Sequence, residues 1–400
     1  MAISSGLSAN AVPLSARCFN VLFRAAAICV LLAGLISANL AAQDYLITND
    51  DSATNGVSFF TIGQGGSLDF AMEVQGPGLG IGGGLFGMSR IAAVNSGSTQ
   101  CIFASESFTN DVFWIVPGSG FPGGSAAGSP SDDGSANGIG LAANSQYVYA
   151  SFSSSSTIAT FQVQSGCALA FLNDIPASGL NGGPIDGMAI HGSMMIATYA
   201  DGSIESFSIG GGAPVPNGDK QFSTGSAGGY SYPNGIDITQ DGHFAIFGDT
   251  STADIVEVSD ILSGKLTPTT VYRTQAGISS SNVLLSPNET ILYISNTQGD
   301  VVSAAFFDKN TGAVSKGCTS RKIRGYVADW SYLGGLALQQ ITGNGGGIFV
   351  AEFGAPAGIA ALNLTVKGAS CTLRETKESP IPDYYSRGLL SIGRFPPRTF

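Results

Sequence analysis

Asn282-Val283-Leu284-Leu285-Ser286-Pro287-Asn288-Glu289-Thr290-Ile291-Leu292-Tyr293-Ile294-Ser295-Asn296 sets two apolar runs of strand length around a Ser-Pro-Asn-Glu turn. Pro287 cannot donate to a strand ladder, and Ser286 and Asn288 supply turn hydrogen bonds, so the stretch reads as a β-hairpin. A third strand follows at residues 301–307, and Thr311-Gly312 turns the chain into a fourth. A single segment thus describes one antiparallel four-stranded unit.

The first strand of this unit recurs along the chain. Segments of its character begin at residues 89, 137, 186, 234, 282, 334 and 387, spaced by 48, 49, 48, 48, 52 and 53 residues. Second strands follow at 101–107, 147–153, 195–201, 244–250, 291–296 and 348–354, and third strands at 111–116, 157–163, 203–209, 254–259, 301–307 and 358–364. The N-terminal region supplies 45–49, 56–62 and 68–74, which match strands two, three and four but lack a first. The missing strand is 388–392, at the far end of the chain. A period of this length, with one unit assembled from both termini, predicts an all-β fold: a seven-bladed β-propeller of four-stranded antiparallel blades, closed by the C-terminal strand.

Composition agrees with many short strands and tight turns. Apolar residues make up 44% of the 400 residues, charged residues 11%, and there are 56 glycines. The charge is acidic, 17 Lys and Arg against 28 Asp and Glu, which argues against nucleic acid or an anionic membrane surface as a partner. Arg17 and Arg24 precede an apolar run at 25–36 and then Ser37-Ala38-Asn39-Leu40-Ala41-Ala42, the layout of a signal peptide over residues 1–42. An uncleaved anchor is the alternative, and only then would the chain meet a membrane. Residues 43–400 are the expected propeller, working in a secreted or periplasmic setting. Cys101, Cys167, Cys318 and Cys371 then remain, with disulfides permitted, their pairing open and no metal-thiolate spacing.

The units resemble lactonase-type propellers and their relatives with YVTN repeats, on the strength of 282–296 and of Pro233-Asn234-Gly235-Ile236-Asp237-Ile238-Thr239-Gln240-Asp241-Gly242. They are similar, more distantly, to the sugar-lactonase propellers that hold a divalent cation with Asn, Asp and Glu. The resemblance implies a possible lactone hydrolase, with His, Glu and Arg at the cleft in lactonases proper. It rests on structural punctuation, which identifies a blade better than an activity.

Propeller connectivity sorts the candidate residues by face. Loops from strand four to the next strand one share a face with the two-to-three loops, while the other turns lie opposite. His191 and His243 fall in one-to-two turns, away from the usual binding face, and the four cysteines lie near the same face, at starts of second or fourth strands. On the loop face, first strands begin near Asn137, Asp186, Asn234 and Asn282, and second strands end near Asp50, Glu106, Asp201, Asp249, Asn296 and Glu352. Oxygen donors without thiols or imidazoles suit a hard cation such as Ca²⁺, with Asn137, Asp186, Asn234 and Glu352 as its ligands; capped turns are the plainer reading. Tyr230, Tyr232, Trp330, Tyr332, Tyr384 and Tyr385 collect in the same loops, with Arg387, and secondarily Arg90, placed to meet an anion. Flat rings beside amides and carboxylates suit a sugar or lactone; plugging of the channel is the alternative.

The expected function is a binding module, with Asn137, Asp186, Asn234, Asn282, Tyr232, Trp330, Tyr385 and Arg387 on the ligand. The ligand would be a small polyhydroxyl, carbohydrate-like molecule or a protein partner, and the protein a monomer. The alternatives are a sugar-lactone hydrolase, with Asp186, Glu352 and Arg387 as candidate catalytic groups and a metal in assistance, and a structural envelope protein. Three other segments carry less. Gly78-Leu79-Gly80-Ile81-Gly82-Gly83 fits a dinucleotide fingerprint but reads as a flexible loop, since no helix follows. Residues 117–136 read as a low-complexity loop replacing much of an outer strand. Lys316, Arg321, Lys322 and Arg324 read as a solvated face, and Asn288-Glu289-Thr290 and Asn363-Leu364-Thr365 are acceptor sequons.

Overall fold

Second strands are apolar along their length because both their faces are covered. Tyr45–Asn49, Ile291–Asn296 and Gly347–Glu352 are buried at every residue, whereas the outer strands Leu68–Gln75 and Thr267–Arg273 are largely exposed. A sheet wet on one side alternates apolar and polar residues; continuous burial requires a neighbour on each face. The computed structural model supplies those neighbours. It describes residues 44–81, 89–118, 120–121, 123–128, 138–223, 233–249, 255–274, 280–296, 299–324, 333–338, 346–352, 357–385 and 391–395.

Seven antiparallel sheets, of four strands each with an extra short strand in two of them, form a seven-bladed β-propeller. We number the blades from the one containing Tyr45. The inner strands, in ring order, are Ser391–Phe395, Ile91–Ser96, Ile139–Ala143, Ile185–His191, Pro233–Ile238, Ser280–Leu285 and Leu333–Leu338. Each contacts the next, and the last returns to the first. Apolar clusters straddle the seams: Leu46, Phe60, Phe349 and Ile359 join blades 1 and 7, while Phe103, Ile139, Val148 and Phe161 join blades 2 and 3. The core is therefore a series of inter-blade layers, each worth roughly 25 cal/mol per Å² of apolar surface removed from water.

The closing strand lies three residues later than the sequence suggested. Ser391–Phe395 pairs with Tyr45–Asn49, in the register Tyr45↔Phe395 to Asn49↔Ser391. Leu389-Leu390 drew the expectation toward 388–392, but the register places Ile392 and Phe395 in the buried positions; residues 386–390 lie outside the described ones. Blade 2 also keeps an outer strand, Gly123–Ala127, where a loop was expected. Its small residues are required by Trp114: a Cβ on Gly124 would come within 2.6 Å of the indole ring.

Two disulfides staple neighbouring blades. Cys101 of blade 2 bonds Cys167 of blade 3, and Cys318 of blade 6 bonds Cys371 of blade 7, settling the pairing left open by sequence. Residues 1–43 lie outside the described residues, so the signal-peptide expectation is not addressed by the fold.

Removing residues 391–400 should strip blade 1 of its inner strand and expose the Tyr45–Asn49 edge. The expected outcome is loss of a cooperative thermal transition by circular dichroism; retention of a single transition within a few degrees of the full chain would show that the ring closes without this strand.

Candidate functional site at the loop face

Arg90, just before the inner strand of blade 2, heads the fully buried side chains by size. In a chain with so few charges, a guanidinium at 0% exposure demands a partner. Its Nη1 donates to Asp51 Oδ2, and the Asp186 carboxylate, entering from the inner strand of blade 4, adds to the field that supports it. Burial is the largest influence and lowers the guanidinium pKa; Asp51 and Asp186 oppose it. Gly138, before the inner strand of blade 3, covers the group. Its φ is +92°, and a Cβ there would stand 3.0 Å from Arg90 Nη2. Blades 2, 3 and 4 thus converge on one buried cation at the channel.

The seam between blades 1 and 2 is stitched by polar contacts. Asn49 Nδ2 donates to the carbonyls of Arg90 and Ser105, both at 3.0 Å, and Asn55 Nδ2 donates to Ser105 O at 2.8 Å. The glycine-rich segment expected to be a flexible loop is held on both sides. Gly78 N–H donates to Glu106 Oε1 at 2.6 Å, Ile81 N–H to Asp51 Oδ1 at 3.1 Å, and Gly80 N–H to Ser52 O at 2.8 Å. Gly82 and Gly83 lie outside the described residues. Burial pushes Glu106 up to about 7, against the lowering by the Gly78 N–H, and Asp111 adds to the rise.

The same device recurs in blade 4. Asp201 accepts from the N–H groups of Asn181, Gly183 and Ser203 and from the Ser203 hydroxyl. Burial would raise its pKa, but these four donors outweigh it and hold the carboxyl below its usual range. Glu106 and Asp201, at the ends of second strands, therefore brace the loops that lead into the first strands of their own blades.

A different arrangement occupies the seam between blades 7 and 1. Thr48 Oγ1 lies 2.8 Å from Asp50 Oδ1 and 2.9 Å from Asp383 Oδ2, and Ser58 donates to Asp50 Oδ2. A hydroxyl has one proton, so Thr48 shares it between the two carboxyl groups, donating toward Asp50 Oδ1 and Asp383 Oδ2. Burial first, and the Asp383 charge second, push Asp50 well above the carboxylate range.

The candidates from sequence separate accordingly. Asp186 is buried beside Arg90, Asn282 packs against Gly235 of blade 5, and Glu352 is buried at the end of its second strand. Tyr385 stacks on Phe70 of the outer strand of blade 1, centroids 5.1 Å apart, which sets it toward the rim. Asn137, Tyr230, Tyr232, Trp330, Tyr332 and Arg387, and the side chains of Asn234 and Asp249, lie outside the described residues. Among the described residues no three acid, imidazole or thiolate side chains could hold a metal ion. Asp186 also lies in the field of Arg90, which repels a cation; Asn137 and the side chain of Asn234, two of the four expected Ca²⁺ ligands, lie outside the described residues. His191, 2.9 Å from Gln240 O, and His243, stacked on Phe244, occupy the opposite face.

Sequence reasoning passed over Asp51, Asn55 and Asp383. Only Asp51 had a signal: a lone arginine at a first strand in a charge-poor chain implies a nearby acid.

No protein-family model and no curated protein matches this chain. Solved structures do. A protein from Bacteroides fragilis, provisionally designated 6-phosphogluconolactonase, is 16% identical with a TM-score of 0.63, over 88% of this chain and 98% of its own. The periplasmic gluconolactonase of Pseudomonas aeruginosa is 11% identical with a TM-score of 0.60, over 87% of this chain and 99% of its own. A functionally unknown protein from Desulfotomaculum acetoxidans is equally similar, 12% identical with a TM-score of 0.62. At such identities the likeness is one of fold.

Two outcomes follow from this geometry. The native state holds the Glu106 proton more tightly than the unfolded chain, so stability falls as pH rises from about 4.5 to about 7, by at most about 3 kcal/mol from this group. Denaturant titrations at pH 5 and 8 should show a smaller difference in Glu106→Gln; an unchanged difference would remove Glu106 as its source. Arg90→Met should cost about 3–5 kcal/mol by leaving Asp51 buried without its partner, and Arg90→Met with Asp51→Asn should recover part of that loss. A double variant no more stable than the single would contradict the pairing.

Proposed function

We propose that this chain is an exported, lactonase-like propeller that binds a small polyhydroxyl ligand or a partner at its loop face, without hydrolysing it. The observation that carries this reading is the use to which the loop-face acids are put. Asp51 is paired with Arg90, and Asp51, Glu106 and Asp201 hold loop backbone. Lactone hydrolysis needs a base in reach of water and an accessible positive group for the oxyanion. Arg90 and Glu106 are fully buried, and both histidines are on the other face. The braced loops meanwhile present Phe108, Leu180 and Tyr384 at 61%, 48% and 70% exposure, apolar surface suited to recognition.

Hydrolysis of a sugar lactone is the second reading. It is supported by the fold-level likeness to gluconolactonase structures and by Glu106, whose pKa of about 7 suits a general base. Membership of the YVTN-repeat group belongs to this proposal as well, resting on the hairpin at 282–296. The two inter-blade disulfides support work in an oxidising compartment.

Incubation with gluconolactone and 6-phosphogluconolactone should give no turnover above spontaneous hydrolysis, with or without Ca²⁺. The sugars, aldonates and lactones of the same panel should raise Tm by about 2 °C or more for at least one compound, a rise lost in Trp330→Ala. Turnover abolished by Glu106→Gln would establish the hydrolase instead.

A further inference from the structure

The outer hairpin of blade 7 carries a surface of unlike charge. Seven of the 17 Lys and Arg residues fall between Lys316 and Lys377, where the only acids are Asp329, Glu352 and Glu375, although the whole chain carries −11. Glu352 is buried. Glu375 accepts from Arg324 through Oε2 and from Ser379 through Oε1. Local positive charge is thus left uncompensated, most clearly on this hairpin.

Strand register explains where it points. Ala357–Lys367 is an unusually long third strand of 11 residues, paired with Ser370–Glu375 as Asn363↔Arg374, Thr365↔Thr372 and Lys367↔Ser370. These six side chains share one face, since residues two apart on a strand point the same way. Leu362, Leu364 and Leu373 occupy the other face, in the core between blades 6 and 7, where the Cys318–Cys371 disulfide fixes the hairpin. Asn363 Nδ2 donates to Gly65 O of blade 1 at 3.3 Å, so the polar face looks toward blade 1.

That face, with Cys371 and the Arg324-paired Glu375 beside it, lines a depression of about 450 Å³. Lys367 and Arg374 make no ion pair among the described residues. Their Cα atoms stand at opposite ends of the row, about 13 Å apart at the rise of a strand, with the Thr365–Thr372 pair between them. Two long cationic side chains can reach inward over a floor of hydroxyl groups that both donate and accept. The volume exceeds the need of a lone tetrahedral ion.

From this juxtaposition we infer that the outer hairpin of blade 7 is a binding site for an acidic saccharide, a sugar bearing carboxylate, sulfate or phosphate groups. Arg374 takes one oxyanion through its planar fork, Lys367 takes another as a point charge, and Thr365, Ser370 and Thr372 meet ring hydroxyls. The site lies on the blade rim, so it is independent of the loop-face reading.

Isothermal titration at low salt with trigalacturonate, maltotriose and inorganic sulfate tests this directly. Trigalacturonate should bind at least about tenfold more tightly than either control, with affinity falling as salt rises. Lys367→Gln with Arg374→Gln should weaken it at least about tenfold, with Tm unchanged. Lys367→Arg with Arg374→Lys should retain binding, and Trp330→Ala should leave it intact. Equal binding of sulfate, absence of trigalacturonate binding, or affinity indifferent to the Gln pair would each overturn the proposal.

Discussion

Every blade in this protein is covered on both sides by another blade, and that requirement governs the rest. A four-stranded sheet with a continuously buried second strand cannot stand in water by itself. It needs a neighbour on each face, and so does the neighbour, until the series returns to its start. The apolar clusters accordingly belong to seams rather than to blades, as in the grouping of Phe103 with Val148 and of Leu46 with Phe349. Burial at the inner edge carries the same demand for backbone partners, met when Ser391–Phe395 joins Tyr45–Asn49.

Polar groups buried by this closure have to be paired, and the loop face shows how. Arg90 sits between carboxylates, Asp201 collects four donors, and Asp50 and Asp383 share Thr48. These are ways of burying charge against opposite charge or hydrogen-bonding partners. They also position the loops. A glycine-rich connection such as 76–81 has little side-chain packing of its own, and the bonds to Glu106 and Asp51 supply its shape. The loop-face acids Asp51, Glu106 and Asp201 serve, in the structure, as the framework that holds these loops.

The architecture was legible because strand spacing and burial report the same constraint. First strands recurring every 48 to 53 residues leave room for four strands and their turns, and the unmatched segments at the two ends name each other. Details depending on close contact were not legible. Leu389-Leu390 carried a stronger apolar signal than Ser391–Phe395, yet pairing with Tyr45 set the register. Gly123–Ala127 has the composition of a loop, and its pairing with Asp111–Ile115 is what makes it a strand. Sequence placed acids at the ends of second strands, where Glu106 and Asp201 are found. It could not say whether Glu106 or Asp201 turned toward the channel or back onto a loop, because a carboxylate at a turn serves either purpose. Arg90 was visible as a cation; its burial was not.

Blade 1 imposes an order of events during synthesis. Tyr45 emerges about 350 residues before its partner Phe395, an interval of about 20–70 s at ordinary elongation rates of about 5–20 residues per second. Throughout that time the Tyr45–Asn49 edge has no inner strand, and blades that have already emerged form an open arc with an uncovered blade at each end. The two ends become complementary only when the last strand is made. Ring closure therefore waits for Ser391–Phe395, and the seam at blade 1 is finished after the other six.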